Sequence, residues 1–260
     1  MWCSPVWSGL WAWRRRRFRR GPDPFPPTMT HSGAADFPRI DATLRRLLSG
    51  VRLLVGNPSP AYTTMLRSNL LSQDPAVLPP RLLGMASTVA DLRPLLPDSA
   101  ADVLVATTSR LRDGDCVPLL ADWLRRPDPP SLLVLLQEEA PPLPLMALLG
   151  APRVAIVGEG MVGKGGLLRA VERLREGQAH LDPDAQRRIQ EAQAIVAPLT
   201  ERERDVLALV VEGLTNRQIA ERLVVAEVTA RDHVQRILRK LELPDRNAAA
   251  ALALRLGLHG

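Results

Sequence analysis

Cysteine is scarce in this sequence, which has only Cys3 and Cys116 in 260 residues. Two thiols so far apart provide neither a disulfide framework nor a cysteine-based metal site, so the small disulfide-stabilised classes are excluded and a reducing compartment is favoured. Long apolar runs are lacking too, and no stretch could span a bilayer as a helix. We therefore expect a cytoplasmic protein with no membrane segment, and no residue pattern predicts a metal or a cofactor.

The body of the chain also lacks an excess of positive charge, although the whole chain carries +6. Residues 1–40 hold seven Arg against two Asp, whereas residues 41–196 hold seventeen charges of each sign. Residues 197–260 hold ten basic and nine acidic residues. Overall charge therefore indicates nothing about nucleic-acid binding, and such an affinity must come from the local placement of Arg and Lys.

Residues 1–47 form a tail in which four Trp precede a cluster of six Arg and a proline-rich stretch. We predict that the tail is disordered, because it resembles no packed unit. Its basic residues follow its apolar ones, which is the reverse of the order in a secretory signal peptide. The tail is either an arm that binds a membrane surface or phosphates, or an overextension of a chain that naturally begins at Met29. We favour the second interpretation.

Between the tail and the last sixty residues, short apolar runs alternate with helical patterns. This alternation is typical of an α/β fold in which a parallel sheet is flanked by helices. The sequence predicts five buried strands, at Val51–Val55, Arg81–Met85, Asp102–Ala106, Ser131–Leu136 and Arg153–Val157. It predicts helices at Tyr62–Leu71, Cys116–Arg125 and Gly166–Glu176, whereas Pro141–Leu149 is interrupted by prolines.

The last sixty residues show two helix starts in quick succession. Thr200 and Glu203 have the spacing of a capping box, in which the hydroxyl and the carboxylate each accept from the other residue's backbone N–H. Thr215 and Gln218 repeat that spacing, and Gly213 lies where the first helix can end. Two short helices joined by a tight connection are therefore predicted.

A third helix is predicted from Glu227 to Leu241, with apolar residues on one arc and polar residues on the opposite arc. Periodicity alone favours an ordinary amphipathic helix with a solvated charged face, because most helices of this kind bind nothing. Together with the two preceding helices it has the arrangement of a helix-turn-helix, whose second helix fits the major groove of DNA.

Residues 198–260 resemble the LuxR-type DNA-binding domain almost throughout, which implies an all-α, four-helix helix-turn-helix. The resemblance rests on Leu199–Leu207, the segment from Gly213 to Ala220, Thr229–His233, Ile237, Lys240-Leu241, Arg246 and Gly257-Leu258. Ala226 departs from the pattern by standing where a capping Ser is usual, and Ala230 replaces a larger Val. Asp232 adds a negative charge that would face phosphates.

The resemblance, combined with the helix geometry, assigns roles to the exposed residues. Arg231, Asp232 and Gln235 are expected to read base edges, because Arg suits guanine and Asp can accept from cytosine N4. The expected phosphate contacts are Asn216, Arg217, Thr229, His233, Arg236, Arg239 and Lys240. His233 lies at the border of the polar arc, so a packed histidine is an equal alternative there.

A fourth helix is predicted from Arg246 to Leu256, behind an Asp245 cap, and it is rich in alanine. In the family that the domain resembles, this helix is the dimerisation element, which implies a homodimer on double-stranded DNA. The alternative is a helix that packs only on its own domain.

Residues 48–178 resemble the receiver domain of NarL/FixJ-type response regulators, and residues 179–197 are predicted to be a partly helical linker. The resemblance implies carboxylates, a hydroxyl and a Lys at the strand ends. Those positions fall instead on Asn57, Pro58, Thr107, Leu136 and Val157. Without carboxylates a hard cation has no oxygen ligands, so we expect a degenerate receiver that is not phosphorylated on an aspartate of the usual kind. A small-molecule or protein signal on this domain stays open.

One motif favours a different function. The run Gly158 to Gly165 matches the G-x-x-x-x-G-K part of a phosphate-binding P-loop, follows a predicted strand and precedes a helix. However, Gly165 stands where a Ser or Thr would ligate Mg²⁺. The expected function is therefore a sequence-specific transcriptional regulator rather than an enzyme, and the alternative is a nucleotide-dependent switch or ATPase with a DNA-binding domain.

Overall fold

We describe the protein from a computed structural model, in which Thr43 and residues 46–70, 80–162 and 164–258 are described. The predicted tail lies outside these residues except for Thr43, Arg46 and Leu47, and so does the alternative start at Met29. Within the described ranges, no helix is both long and apolar enough to cross a membrane.

The centre of residues 48–181 is a parallel six-stranded sheet. Its strand order is β2-β1-β3-β6-β7-β8, and a short antiparallel pair, β4 and β5, stands apart from it. The strands are β1 (Arg52–Gly56), β2 (Arg81–Ala86), β3 (Val103–Thr108), β4 (Arg110–Leu111), β5 (Gly114–Asp115), β6 (Ser131–Leu136), β7 (Val154–Gly158) and β8 (His180–Leu181). All five predicted strands are present within two residues of their predicted bounds, which confirms the α/β fold class.

Helices cover both faces of this sheet, because its central strands are apolar on both sides. The helices are α1 (Pro60–Leu70), α2 (Val89–Leu92), α3 (Val117–Leu124), α4 (Gly166–Arg175) and α5 (Pro183–Val196), with 3₁₀ helices at Arg93–Leu95, Leu143–Leu148 and Glu159–Met161. Leu54 of β1 packs with α2, α3 and α5, whereas its neighbours Leu53 and Val55 pack with α4 on the other face. The proline-interrupted segment Pro141–Leu149 contains the second of these 3₁₀ helices, Leu143–Leu148.

The sixth strand was not predicted, and it is followed directly by α5. Asp182 caps α5, since its carboxylate accepts from the backbone N–H groups of Asp184 and Ala185. The first half of α5 contributes Ala185 and Ile189 to the core of the sheet. The segment expected to be a linker therefore begins as part of the α/β unit.

The C-terminal residues form four helices around one core. They are α6 (Glu201–Val211), α7 (Asn216–Leu223), α8 (Glu227–Lys240) and α9 (Arg246–Leu256). Both predicted capping boxes are present, and Asp245 caps α9 by accepting from the N–H of Ala248 at 2.8 Å. The buried side chains that join the four helices include Leu207, Ile219, Ala230, Ile237 and Ala253.

A small apolar cluster joins the end of α5 to the last helix. Ala192 and Val196 of α5 pack with Leu256 of α9 and with Leu143 of the 3₁₀ helix. The two halves of α5 therefore lie in two different cores, and α5 is a packed element along its whole length.

Candidate nucleic-acid interface

Helix α8 separates its residues into a buried and an exposed row. Ala230, Val234 and Ile237 are buried against α6 and α7. Because these residues recur at helical spacing, the residues between them point away from the core. This geometry agrees with the helical wheel expected from the sequence.

The exposed row of α8 holds the three residues expected to read bases. Arg231, Asp232 and Gln235 are all exposed, and each lies three or four positions from another, so they share one face. Arg236 and Arg239 are exposed beside them. Within the described part of the chain, none of these five side chains has a hydrogen-bond or ion-pair partner, so their polar groups are available to a ligand.

Lys240 is placed differently from the arginines that precede it. Its ammonium nitrogen lies 2.6 Å from Oε2 of Glu203, whose side chain is only 4% exposed. The same carboxylate accepts from the backbone N–H of Thr200 at 2.8 Å. Burial raises the pKa of Glu203, but the bonds from Lys240 and Thr200 outweigh it, and the net pKa is lowered. Lys240 therefore ties α8 to the start of α6.

The two residues expected to contact phosphates from α7 have partners within the domain. Asn216 Oδ1 accepts from Arg246 at 3.4 Å, and the same guanidinium donates to the backbone oxygen of Leu214. Arg217 pairs with Glu221 one turn later at 3.1 Å, and both side chains are largely exposed. An exposed pair of this kind is weak, so Arg217 can exchange its partner for a phosphate.

Thr229 and His233 are both half-buried at the edge of the exposed row. The Nδ1 atom of His233 is buried and has no hydrogen-bond partner among the described residues. The buried ring nitrogen favours the interpretation of a packed histidine. The position of His233 at the border of the exposed row favours a phosphate contact. The two interpretations of His233 therefore stay open.

The turn between α7 and α8 has two unusual features. Val224 adopts the left-handed conformation, with φ of 54° and ψ of 52°, which a β-branched residue rarely takes. Ala226 begins α8 without a side-chain hydrogen bond, as the sequence predicts. Val228, the second residue of α8, is 60% exposed although it is apolar.

Sequence reasoning missed one residue of this surface, Val228, and one buried residue beneath it, Glu203. Val228 stands at three, four and seven positions before the base-reading residues, so helical spacing alone was enough to place it on their face. Glu203 was assigned only a capping role. Its pairing with Lys240, 37 positions away, depends on how two helices pack and has no local signal.

Five residues of the α/β unit stand at the positions where a receiver would carry its functional groups. All five lie at or near the ends of strands. Leu136 and Val157 are fully buried, and Thr107 is 4% exposed with its hydroxyl donating to the backbone oxygen of Thr108. Asn57 turns its side-chain oxygen to the N–H of Ser59, and Pro58 follows it. Among the described residues, no three His, Cys, Asp or Glu side chains are grouped to hold a metal ion.

Two aspartates close in sequence to these positions, Asp102 and Asp113, make contacts that stabilise the fold. Asp102 precedes β3, at the opposite end of the sheet, and pairs with Arg52 at 2.7 Å. Asp113 accepts from the backbone N–H groups of Val89 and Ala90 at the start of α2, and the bond from Val89 lowers its pKa. Both carboxylates are therefore engaged in contacts within the fold.

Three of the described N–H groups in the P-loop-like run are already bonded within the protein. The Gly158 N–H donates to the buried carboxylate of Asp182, and those of Val162 and Lys164 donate to backbone oxygens within the turn. A Cβ added at Gly158 would strike the carboxylate of Asp184. Two carboxylates at the first glycine repel phosphate, so the geometry gives the nucleotide alternative no support.

Comparison with known proteins identifies the family of the C-terminal domain. Residues 197–253 match the family model described as bacterial regulatory proteins, luxR family, so the chain contains a domain of that family. No curated protein sequence matches the chain significantly.

Solved structures of RcsB share the fold over most of the chain. A structure of two RcsB dimers bound to two parallel DNAs has a TM-score of 0.53 at 19% identity and covers 80% of this chain and 99% of that one. RcsB from Salmonella enterica serovar Typhimurium, bound to promoter P1flhDC in the presence of BeF3⁻, has a TM-score of 0.53 at 20% identity, with 80% and 99% coverage. The same protein bound to promoter rprA has a TM-score of 0.51 at 23% identity, with 78% and 97% coverage. At these identities the comparison shows the shared fold.

Proposed function

We propose that the protein is a transcriptional regulator that binds double-stranded DNA sequence-specifically through α8. The observation that supports this most strongly is the row of polar side chains on α8 that have no partner within the described protein. A helix of a LuxR-family domain that keeps three arginines unpaired on one side is suited to the negative major groove. We place this activity in the cytoplasm, where bacterial DNA lies, and propose no enzymatic reaction.

Within this proposal, Arg231, Asp232 and Gln235 read base edges. Arg231 is suited to guanine O6 and N7, Asp232 to the amino group of cytosine, and Gln235 to adenine. Arg231 and Asp232 lie in the first half of α8 and Gln235 lies one turn further along, and the N-terminal residues of a recognition helix contact base edges.

The phosphate contacts surround that face and fix the orientation of the helix. Arg236 and Arg239 are free to make them, and Arg217 can do so by releasing Glu221. Thr229, His233, Asn216 and Lys240 complete the proposed set. Lys240 must divide its donors between a phosphate and Glu203, so we expect it to add less to affinity than Arg239.

We also propose that the protein binds as a homodimer through α9. Ala249 and Ala253 of this helix face its own core. The exposed residues Asn247, Ala251, Leu254 and Arg255 share the opposite face, and Leu254 is 52% exposed. A small alanine beside an exposed leucine allows the close approach of a second helix. The solved structure of RcsB dimers bound to DNA supports a dimeric assembly.

The α/β unit is proposed to act as a dimerisation or sensory scaffold without aspartyl phosphorylation of the usual kind. Its strand ends present Asn57, Pro58 and Thr107 where phosphoryl chemistry requires carboxylates, and Leu136 and Val157 stand at the positions of the hydroxyl and the Lys. Incubation with acetyl phosphate and Mg²⁺ should leave the protein unmodified by intact mass, and a stoichiometric base-labile phosphoprotein would contradict this part of the proposal.

Selection of bound duplexes from a random pool tests the function as a whole. The expected result is a palindromic consensus with half-sites about one helical turn apart. In gel-shift assays at about 0.15 M salt, Arg231→Ala should remove the preference at one base pair and leave weak general binding.

The matched control is Arg112→Ala, which removes one exposed positive charge from the α/β unit. Its binding should keep both the affinity and the preference of the unaltered protein. Equal binding to all duplexes by the unaltered protein would refute the proposed function. Unchanged selectivity of Arg231→Ala would refute the assignment of that residue.

A further inference from the structure

Val228 is an apolar side chain that the fold does not use. It is 60% exposed and does not belong to the buried cluster that joins the four C-terminal helices. Val is a poorer helix former than Ala or Glu because its branched side chain loses rotamer freedom in a helix. Helix formation and core packing thus leave its presence at this position unexplained.

The position of Val228 places it on the face proposed to read bases. Arg231 follows it by three residues, Asp232 by four and Gln235 by seven, and these are the spacings of one helix face. Neighbouring side chains at such spacings have Cβ atoms about 5–6 Å apart. Val228 lies one turn closer to the start of α8 than Arg231, at the end of a recognition helix that makes base contacts.

The chemistry of the major groove restricts what this side chain can recognise there. Valine has no donor or acceptor, so it cannot pair with the polar edge of any base. The one apolar group that a base pair displays in this groove is the C5-methyl group of thymine. Cytosine presents an unsubstituted C5 at the same place, so an apolar contact distinguishes the two pyrimidines.

We propose that Val228 is a specificity-determining residue that selects a thymine by contact with its C5-methyl group. This inference rests on the proposed DNA-binding function and deepens it. The selected thymine lies beside the base pair that Arg231 reads, and a 5-methylcytosine at that position satisfies the same contact.

The experiment combines removal of the base methyl with removal of the valine methyls. Full-length protein is titrated with its selected duplex and with duplexes in which each thymine in turn is replaced by deoxyuridine, which lacks only that methyl. Burial of one methyl predicts that one substitution per half-site weakens binding about four-fold. That dependence should disappear in Val228→Ala, and Val228→Thr, which keeps one methyl, should retain part of it.

Two internal controls accompany this measurement. Deoxyuridine at the other thymines should affect the unaltered protein and Val228→Ala equally. Val224→Ala, which alters the 91% exposed valine that lies outside α8, should keep the full methyl dependence. Replacing cytosine by 5-methylcytosine at the sensitive position should restore binding to a duplex in which that thymine was changed to cytosine.

Two results would overturn the inference while leaving the proposed function intact. One is an identical response of the unaltered protein and Val228→Ala to deoxyuridine at every thymine, and the other is a selected consensus without thymine beside the Arg231-dependent base pair. A failure of the unaltered protein to prefer any duplex would overturn the proposed function itself, so the two failures are distinguishable.

Discussion

The ion pair between Lys240 and Glu203 gives the sharpest test of how the C-terminal domain is held together. We consider Lys240→Met, which removes the ammonium and keeps an apolar side chain of similar length. Glu203 then retains its bond from Thr200 but loses its only charged partner among the described residues. Its carboxylate remains buried, so the loss falls on the stability of the contact between α6 and α8.

The magnitude follows from the geometry of the pair. At 2.6 Å and an effective dielectric constant of about 20, the direct attraction is about 6 kcal/mol, and desolvation of the carboxylate offsets much of it. Removing one partner of a fully buried pair typically costs about 3–5 kcal/mol. The Lys240 side chain is 34% exposed, so we expect screening to reduce the cost to about 2–3 kcal/mol.

Amide hydrogen exchange followed by mass spectrometry measures this loss in the full chain, since peptides from α6 and α8 report on the C-terminal domain alone. The control is Arg239→Met, which changes the neighbouring exposed cation. It should leave exchange within about 0.5 kcal/mol of the unaltered protein. It should also reduce the slope of log affinity against log salt by about 1, as expected for a lost phosphate contact.

The pair also predicts a pH dependence. Because the pKa of Glu203 is lowered on folding, its contribution is fully present above the unfolded value of about 4.3 and is lost as pH falls through the folded value. In Lys240→Met the pKa of Glu203 rises, and this acid-sensitive stabilisation should shrink. Equal exchange in Lys240→Met and Arg239→Met at pH 7 would refute the buried ion pair.

Three further predictions concern local features. Val224→Asn should stabilise the domain by about 1 kcal/mol in thermal denaturation, because asparagine tolerates the left-handed conformation, and a loss of stability would contradict the strained turn. Ala226→Ser should add about 1 kcal/mol through the missing cap of α8, seen as slower exchange in its first turn, and unchanged exchange there would argue against this start of the helix. Burial raises the pKa of the Cys116 thiol to about 12, so in a Cys3→Ser background it should react with a thiol reagent at pH 8 at least about 100-fold faster once the protein is unfolded. Equal rates in the folded and unfolded protein would show that Cys116 is accessible.

The features that sequence predicts best here are those determined by neighbouring residues. The capping boxes at Thr200 and Thr215 need only residues three positions apart, and both are present. Four of the five predicted strands, β1, β3, β6 and β7, lie inside the sheet, where burial on both faces makes each one a largely continuous apolar run. The absent cap at Ala226 was likewise visible from one residue.

Two elements, β8 and the start of α5, were predicted less well. β8 has only two residues, too few for any periodicity. The start of α5 did have a local signal, since Asp182 precedes Pro183 and a capping residue before proline is typical of a helix start. Its apolar residues also recur from Ala185 to Val196 at helical spacing. That signal was present and was interpreted only as a partly helical linker.

The buried role of Asp182 could not be predicted in the same way. Its carboxylate accepts from the Gly158 N–H as well as from the start of α5, so it joins the end of β7 to that helix. Gly158 was part of the P-loop-like run in the sequence, where a glycine suggests room for phosphate. In the structure, the carboxylates of Asp182 and Asp184 occupy the space around this glycine. Their approach results from tertiary packing, which cannot be predicted from the motif.

The near-neutral charge of the C-terminal residues is compatible with DNA binding because its charges are separated in space. Glu203 is buried against Lys240, and Glu221 is paired with Arg217, so both carboxylates are at least partly neutralised. The arginines of α8 that have no such partner in the described structure are Arg231, Arg236 and Arg239. A duplex that approaches α8 therefore meets a locally basic surface, although the domain as a whole carries only a small net charge. Asp232 is an acidic residue on this face, and its desolvation against phosphates is offset where a base donates a hydrogen bond to it, which makes its contribution one of selectivity rather than affinity.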